Sequence, residues 1–176
     1  DHYLSALGEI VRRKLPTQVS VKPTQLGLDL SVDECVRQIA PIAAAAAAEG
    51  QLLWIDMEDS SYVDRTLELY EKLKAANDKV GLCLQSYLFR TPKALQRLLA
   101  IKPAIRMVKG AYAEPASVAF PAKSDTDAQY LSLGVTLLKA AKQGGAFPVF
   151  GTHDMSLIQQ LVAKAGELVI TTDADR

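Results

Sequence analysis

The side chains able to do chemistry recur at intervals, each just behind a short apolar run. They are Lys22, then Asp56, Glu58 and Asp59, then Gln85, then Arg106 and Lys109, then Thr152 and His153. Lys22 or Lys109 could form a Schiff base if a neighbour depressed its pKa. A lysine is also a suitable point charge for a substrate carboxylate. The carboxylates at 56, 58 and 59 could hold magnesium, but Lys22 and Arg106 would compete for them. His153 with Asp154 is a poor start for zinc, which takes three or four close ligands. The only other histidine, His2, lies in the leading tail. No metal is therefore expected, and no G-x-S-x-G nucleophile elbow occurs.

The elements that carry these residues alternate between two periodicities. Leu4, Leu7, Ile10 and Val11 predict a leading helix within residues 1–15, ended by Pro16. Gln18 to Val21 alternates like a strand. Ser31 with Glu34 matches a capping box for a helix carrying Val32, Cys35, Val36 and Ile39. Pro41 predicts a kink or break in that helix, and the alanines at 43–48 favour helix. Strands are predicted over Leu52–Ile55, Val80–Leu84, Ala104–Val108 and Ala146–Phe150. Helices follow each, with starts predicted from Ser61 and Asp64, from Thr91-Pro92, and from Ser124 and Asp127. A last helix bears Leu157, Ile158, Leu161 and Val162 and ends at Gly166. Leu168–Ile170 is a short apolar run of uncertain type.

Near-continuous apolar strands alternating with amphipathic helices imply an α/β fold with a parallel sheet covered by helices. Units of roughly 30 residues suit a parallel (β/α)8 TIM-type barrel. A doubly wound sheet would carry a glycine-rich phosphate turn after the first strand, and Val21-Lys22-Pro23-Thr24-Gln25-Leu26-Gly27 has none. Five β/α units are expected over residues 17–176, within a single partial-barrel catalytic domain of residues 1–176. Five cannot close a barrel, so three more are expected beyond Arg176. The first residue is Asp1, as in a fragment or a processed product. In such a barrel the strand ends converge on one mouth, where Lys22 and Asp56 make the natural ion pair.

The bulk numbers narrow the partners. Twenty basic residues balance twenty acidic ones, without the basic excess of a nucleic-acid binder. Cys35 and Cys83 are too few for a disulfide framework, so a reducing compartment is expected. The apolar stretch from Pro41 to Ala48 is far short of the ~20 residues needed to span a bilayer.

Five strings, in order, resemble the proline dehydrogenase family: Ser20-Val21-Lys22-Pro23-Thr24-Gln25-Leu26-Gly27, Asp56-Met57-Glu58-Asp59, Gln85-Ser86-Tyr87-Leu88-Phe89-Arg90-Thr91, Arg106-Met107-Val108-Lys109-Gly110-Ala111-Tyr112-Ala113-Glu114-Pro115 and Gly151-Thr152-His153-Asp154. They span nearly the whole chain from Val19. The resemblance implies an FAD-dependent barrel that oxidises L-proline to pyrroline-5-carboxylate, the first step of proline catabolism, and passes electrons to a quinone. It implies a cytoplasmic protein with peripheral membrane contact through the quinone, or a mitochondrial one in a eukaryote. It leaves the oligomeric state open.

The resemblance also distributes roles. Lys22 resembles the lysine beside the substrate carboxylate, and Asp56 the acid that shapes the catalytic site. Arg106 resembles the arginine near the reactive flavin nitrogen, in a catalytic and a cofactor-binding role. Met57, Gln85, Lys109, Gly110, Ala111, Thr152 and His153 resemble cofactor contacts. The family's substrate-clamping arginine pair falls on a later helix, beyond Arg176, and its Ala-Thr-His string reads Gly151-Thr152-His153 here.

Taken singly, each residue has a plainer role. Lys22 and Asp56 could be a structural pair, Met57 core filler, Gln85 a partner for buried backbone, and Thr152 a helix cap. His153 could satisfy a helix start. Tyr87 and Tyr112 suit packing. A Schiff-base lyase or aldolase barrel, or a non-catalytic fragment, are the competing functions.

Overall fold

A computed structural model describes residues 2–169, and Ile170 of the short run at 168–170 lies outside them. The chain divides into two compact units after Cys83.

The first unit opens with helix α1 (His2–Arg13), so His2 starts a helix instead of lying in a tail. Strand β1 (Val19–Val21), helix α2 (Val32–Ala48), strand β2 (Leu53–Ile55), helix α3 (Val63–Ala76) and the start of strand β3 (Val80–Gln85) follow. The strands are parallel: Val21 pairs with Ile55, and Ile55 with Leu82. All three β2 residues and all six of β3 are buried, as a sheet covered on both faces requires.

Of the kink or break expected at Pro41 the break does not occur, and one expected cap is replaced by another residue. Helix α2 runs through Pro41 without a break. Pro41 sits on the exposed side, while Ile39, Ile42, Ala43 and Ala46 hold the buried face. Burial and strong alanine propensity outweigh one missing hydrogen bond. The Ser31 cap does form, its Oγ accepting from Glu34 N at 3.0 Å. The next helix is not capped by Ser61: Asp59 caps a 3-10 turn (Ser60–Tyr62) that leads into α3, accepting from Ser61 N at 2.9 Å. A carboxylate is a good N-cap, and Asp59 reaches the free amide first.

The second unit holds the end of β3, helix α4 (Thr91–Leu98), strand β4 (Ala104–Val108), helix α5 (Lys123–Lys142), strand β5 (Phe147–Gly151) and helix α6 (Met155–Glu167). Strands β4 and β5 pair in parallel from Ala104–Phe147 to Val108–Gly151, and α5 packs on β4, β5 and α6. Helix α6 runs one residue past Gly166, to Glu167. Helix α5 starts at Lys123 behind Ala122 with no side-chain cap; Ser124 and Asp127 lie inside it, and Asp127 is used elsewhere.

The sheet order is β1-β2-β3-β4-β5. Sequential order, with no reversal, is the winding of a β/α barrel and excludes the switch point of a doubly wound sheet.

Close packing fixes the start of this order. Trp54 in β2 is buried and donates through Nε1 to Gln18 Oε1 at 2.6 Å. Its ring lies over Gly81 of β3, where a Cβ would stand 2.5 Å from the indole. The indole has no free space to move into, because cores are packed near crystal density. Gly81→Ala is therefore expected to destabilise the protein by about 1–3 kcal/mol, the usual cost of overpacking. Urea unfolding followed by fluorescence of Trp54, the single tryptophan, checks this; an unchanged midpoint would mean the ring is not held there.

Candidate active site

In the first unit, Lys22 and Asp56 follow the adjacent ends of β1 and β2, where Asp56 N donates to Val21 O at 2.9 Å. The expected Lys22–Asp56 ion pair does not form: Lys22 is exposed and makes no ion pair among the described residues. A hydrated ammonium gains little from an exposed pair and loses side-chain freedom in making one. Met57 is buried.

Glu58 is buried too, and its role was not foreseen. Its carboxylate accepts from Thr24 N at 2.9 Å and from Thr24 Oγ1 at 2.7 Å. Hydrogen bonds to a charged group are the strong ones, so Glu58 ties the turn after β1, which carries Lys22, to the segment after β2, which carries Asp56. Cys35 lies beneath that turn with Sγ 3.5 Å from Pro23 O. Burial first, then the charge of Glu58, pushes its thiol up to about 12, which makes it an inert core cysteine.

In the second unit, Gln85 ends β3 and is buried; its carbonyl accepts from Thr91 Oγ1 at 2.5 Å. The segment after it is bound to the segment after β4. Ser86 N donates to Val108 O and Tyr87 N to Lys109 O, both at 2.8 Å. Phe120 N donates to Tyr87 O at 2.9 Å, and Gln129 of α5 donates to the carbonyls of Ser86 (2.5 Å) and Leu88 (2.9 Å). Tyr87 forms the seat of Gly110. At φ +139 a Cβ on Gly110 would stand 2.5 Å from the Tyr87 ring, so this backbone conformation and this contact both require glycine. Arg106 is half-buried in β4, opposite Val149 of β5. Ala111, Tyr112 and His153 are exposed.

Lys109 is held by two carboxylates. Its Nζ lies 2.5 Å from Asp127 Oδ1 and 2.9 Å from Asp154 Oδ2. Lys123 reaches the same two carboxylates, Asp154 at 2.9 Å and Asp127 in close contact. Two cations and two anions thus alternate around a closed ring. Asp154 also caps α6, its Oδ1 accepting from Leu157 N at 3.4 Å, and its own N–H donates to Thr152 Oγ1 at 3.1 Å. The structure therefore brings Lys109 and the Thr152-His153 segment together through Asp154. Asp127, Lys123 and Asp154 were missed as members of the site. Asp127 had been assigned to a cap, and nothing in sequence spacing signals a partner on another segment.

The ring sets a pH dependence. Hydrogen bonds from Lys109 and then Lys123 hold the Asp154 carboxyl well below its ordinary value of 3.8. For Asp127 burial alone would raise the value, but the same two lysines outweigh it and leave it lowered. A carboxyl lowered on folding adds stability that is complete above its unfolded value and is lost as pH falls through the folded one. Stability should thus fall below about pH 4. Asp154→Asn should lower stability at pH 7 and flatten the dependence below pH 4, measured by denaturant unfolding across pH; an acid limb as steep as the parent's would count against the ring.

The comparisons agree with the strand-end strings. The family described as proline dehydrogenase matches residues 1–174. Proline dehydrogenase 1 of Bacillus subtilis subsp. natto is 36% identical over 162 residues, covering 90% of this chain and 52% of that protein. Proline dehydrogenase 2 of Bacillus subtilis (strain 168) is 32% identical over 173 residues, covering 98% and 56%. The proline dehydrogenase of Deinococcus radiodurans is 42% identical over 122 residues, covering 68% and 38%. The chain thus spans about half the length of the Bacillus relatives. The fold matches that of proline utilization A (PutA) from Bdellovibrio bacteriovorus inactivated by N-propargylglycine, with a TM-score of 0.84 at 20% identity, over 96% of this chain and 22% of that one. With a whole-chain family match, and with its polar residues ordered along a sequentially wound parallel sheet, this chain belongs to the proline dehydrogenase family.

Proposed function

We propose that the protein oxidises L-proline to pyrroline-5-carboxylate with FAD as resident cofactor and a quinone as the final acceptor. The observation that carries this is the family match over residues 1–174. The position of every assigned residue, at or near the C-terminal end of a strand, supports it, because catalytic groups of β/α barrels occupy that end.

The oxidation removes a hydride equivalent from the ring carbon beside nitrogen and a proton from the amine, leaving a C=N bond. Bound FAD would supply the two-electron acceptor. The protein's part is to bind, orient and stabilise charge. Lys22, exposed and outside any ion pair among the described residues, has its ammonium available for the substrate carboxylate. Asp56 beside it shapes that end of the site.

The donor set of the second unit suits a flavin. Gln85 offers an amide to the polar edge of the ring, and Arg106 a fixed positive charge for the electron density that builds up on reduction. Gly110 and Ala111 offer backbone with no bulky side chain, and Thr152 and His153 hydrogen-bonding groups beside them. Lys109, held between two carboxylates, is poorly placed to act as a Schiff-base nucleophile. A quinone acceptor would bring the protein to a membrane surface, although no helix of the described residues is long and apolar enough to cross one.

Purified protein incubated with FAD should show a flavin absorption band that L-proline bleaches in the absence of air. No flavin uptake would defeat the reading. Arg106→Met should retain the fold and lower kcat/KM for proline by about 10²-fold or more, as for loss of one preorganised charge at a reacting centre. Full activity in that variant would remove Arg106 from the role.

A further inference from the structure

We propose that Asp127 and Asp154 are positioning residues: with Lys109 and Lys123 they form a brace that sets the Gly110-Ala111 backbone against the Thr152-His153 backbone, and Lys109 works through this brace instead of as a direct cationic contact to the cofactor. The proposal rests on the flavin site described above and changes the role of one of its residues.

Geometry carries the case. Lys109 closes two short contacts to carboxylates, at 2.5 and 2.9 Å. The three inner members are three-quarters covered, each with a side chain 23% exposed, whereas Lys123 on the rim is 70% exposed. The Lys109 ammonium donates to Asp154 Oδ2 and lies within ion-pair distance of Asp127 Oδ1, so it meets anions from two different segments. Asp127 lies on α5, and Asp154 stands between β5 and α6. Lys109 itself is the first residue after β4. One cation therefore spans three elements. Its charge is compensated locally, so its attraction for a distant anion is weakened.

The backbone around the ring completes the brace. Lys109 O accepts from Tyr87 N at 2.8 Å, and the next residue, Gly110, lies against the Tyr87 ring. On the other side the N–H of Asp154 holds Thr152 Oγ1 at 3.1 Å. Each end of the ring is thus joined to a segment assigned to the cofactor by at most one residue.

The two roles of Lys109 predict opposite signs. If Lys109 met the cofactor directly, removing a competing carboxylate would free its charge and tighten binding of an anionic dinucleotide. If it works through the brace, the same change weakens binding. Asp127→Asn and Asp154→Asn keep side-chain size, and asparagine still caps α6. Equilibrium dialysis of each variant against FAD should show affinity lowered about tenfold, with Lys123→Met lowering it no more than about threefold, since exposed pairs contribute little. In the Asp127→Asn, Asp154→Asn double variant, adding Lys109→Met should cost nothing further. Lys109→Arg, which can reach both carboxylates, should largely restore what Lys109→Met loses.

Hydrogen exchange provides a readout independent of the flavin. The amides of residues 110, 111 and 154 should exchange faster in the Asp127→Asn and Asp154→Asn variants, with those of β3 unchanged. Tighter FAD binding in the carboxylate variants, or a further loss from Lys109→Met in the double variant, overturns the proposal. Unchanged exchange at 110, 111 and 154 overturns it as well, whether or not flavin binds. A parent protein that takes up no FAD sinks the flavin reading instead and leaves the exchange result to decide on the brace.

Discussion

A parallel strand covered on both faces offers a charge little room away from its ends. Strand β3 makes the point, with all six residues buried and its one polar side chain, Gln85, at the last position. Burying an unpaired charge mid-strand would cost several kcal/mol. Most of the site's polar residues therefore lie at the last strand position or in the segments that follow, with Arg106, half-buried inside β4, as the exception, and those segments must be held in place by something other than the sheet.

The two units meet that need in different ways. In the first, one buried carboxylate, Glu58, accepts two hydrogen bonds from Thr24 and so fixes the turn that carries Lys22. In the second, backbone bonds from Ser86 and Tyr87 to the last residue of β4 and the residue after it, the ring contact of Gly110 and the four-charge ring around Lys109 act together. Both solutions use charge-assisted bonds, which are short and directional. Both also leave other groups accessible: Lys22 and His153 are exposed, and Arg106 is half-buried.

Much of this was legible in the residues. Strand β4 occupies residues 104–108 as expected, because Pro103 and Lys109 bound an apolar run interrupted only by Arg106. The other four strands fall within a residue or two of their expected places. Helix starts were less legible. Ser31 caps α2 as its spacing implied, but the similar patterns at Ser61–Asp64 and Ser124–Asp127 are not used as caps. A serine followed three residues later by an acid is a common local pattern, and its side chains take whichever partner the fold brings nearest. For Asp127 the partners are Lys123, one turn back on the same helix, and Lys109, 18 residues away in the chain.

By itself the sequence determined the alternation of strands and helices, the parallel class of the sheet and the positions where polar chemistry gathers. Those follow from local periodicity and from the cost of burying charge, both of which act over a few residues. The ordered strings likewise sufficed to suggest the family. Only the tertiary structure decided which charges meet: that Lys22 stays out of an ion pair among the described residues, that Glu58 turns to Thr24, and that Lys109 shares Asp127 and Asp154 with Lys123. Ion pairing depends on angstrom-scale distances between segments far apart in the chain, and residue spacing carries no record of those distances.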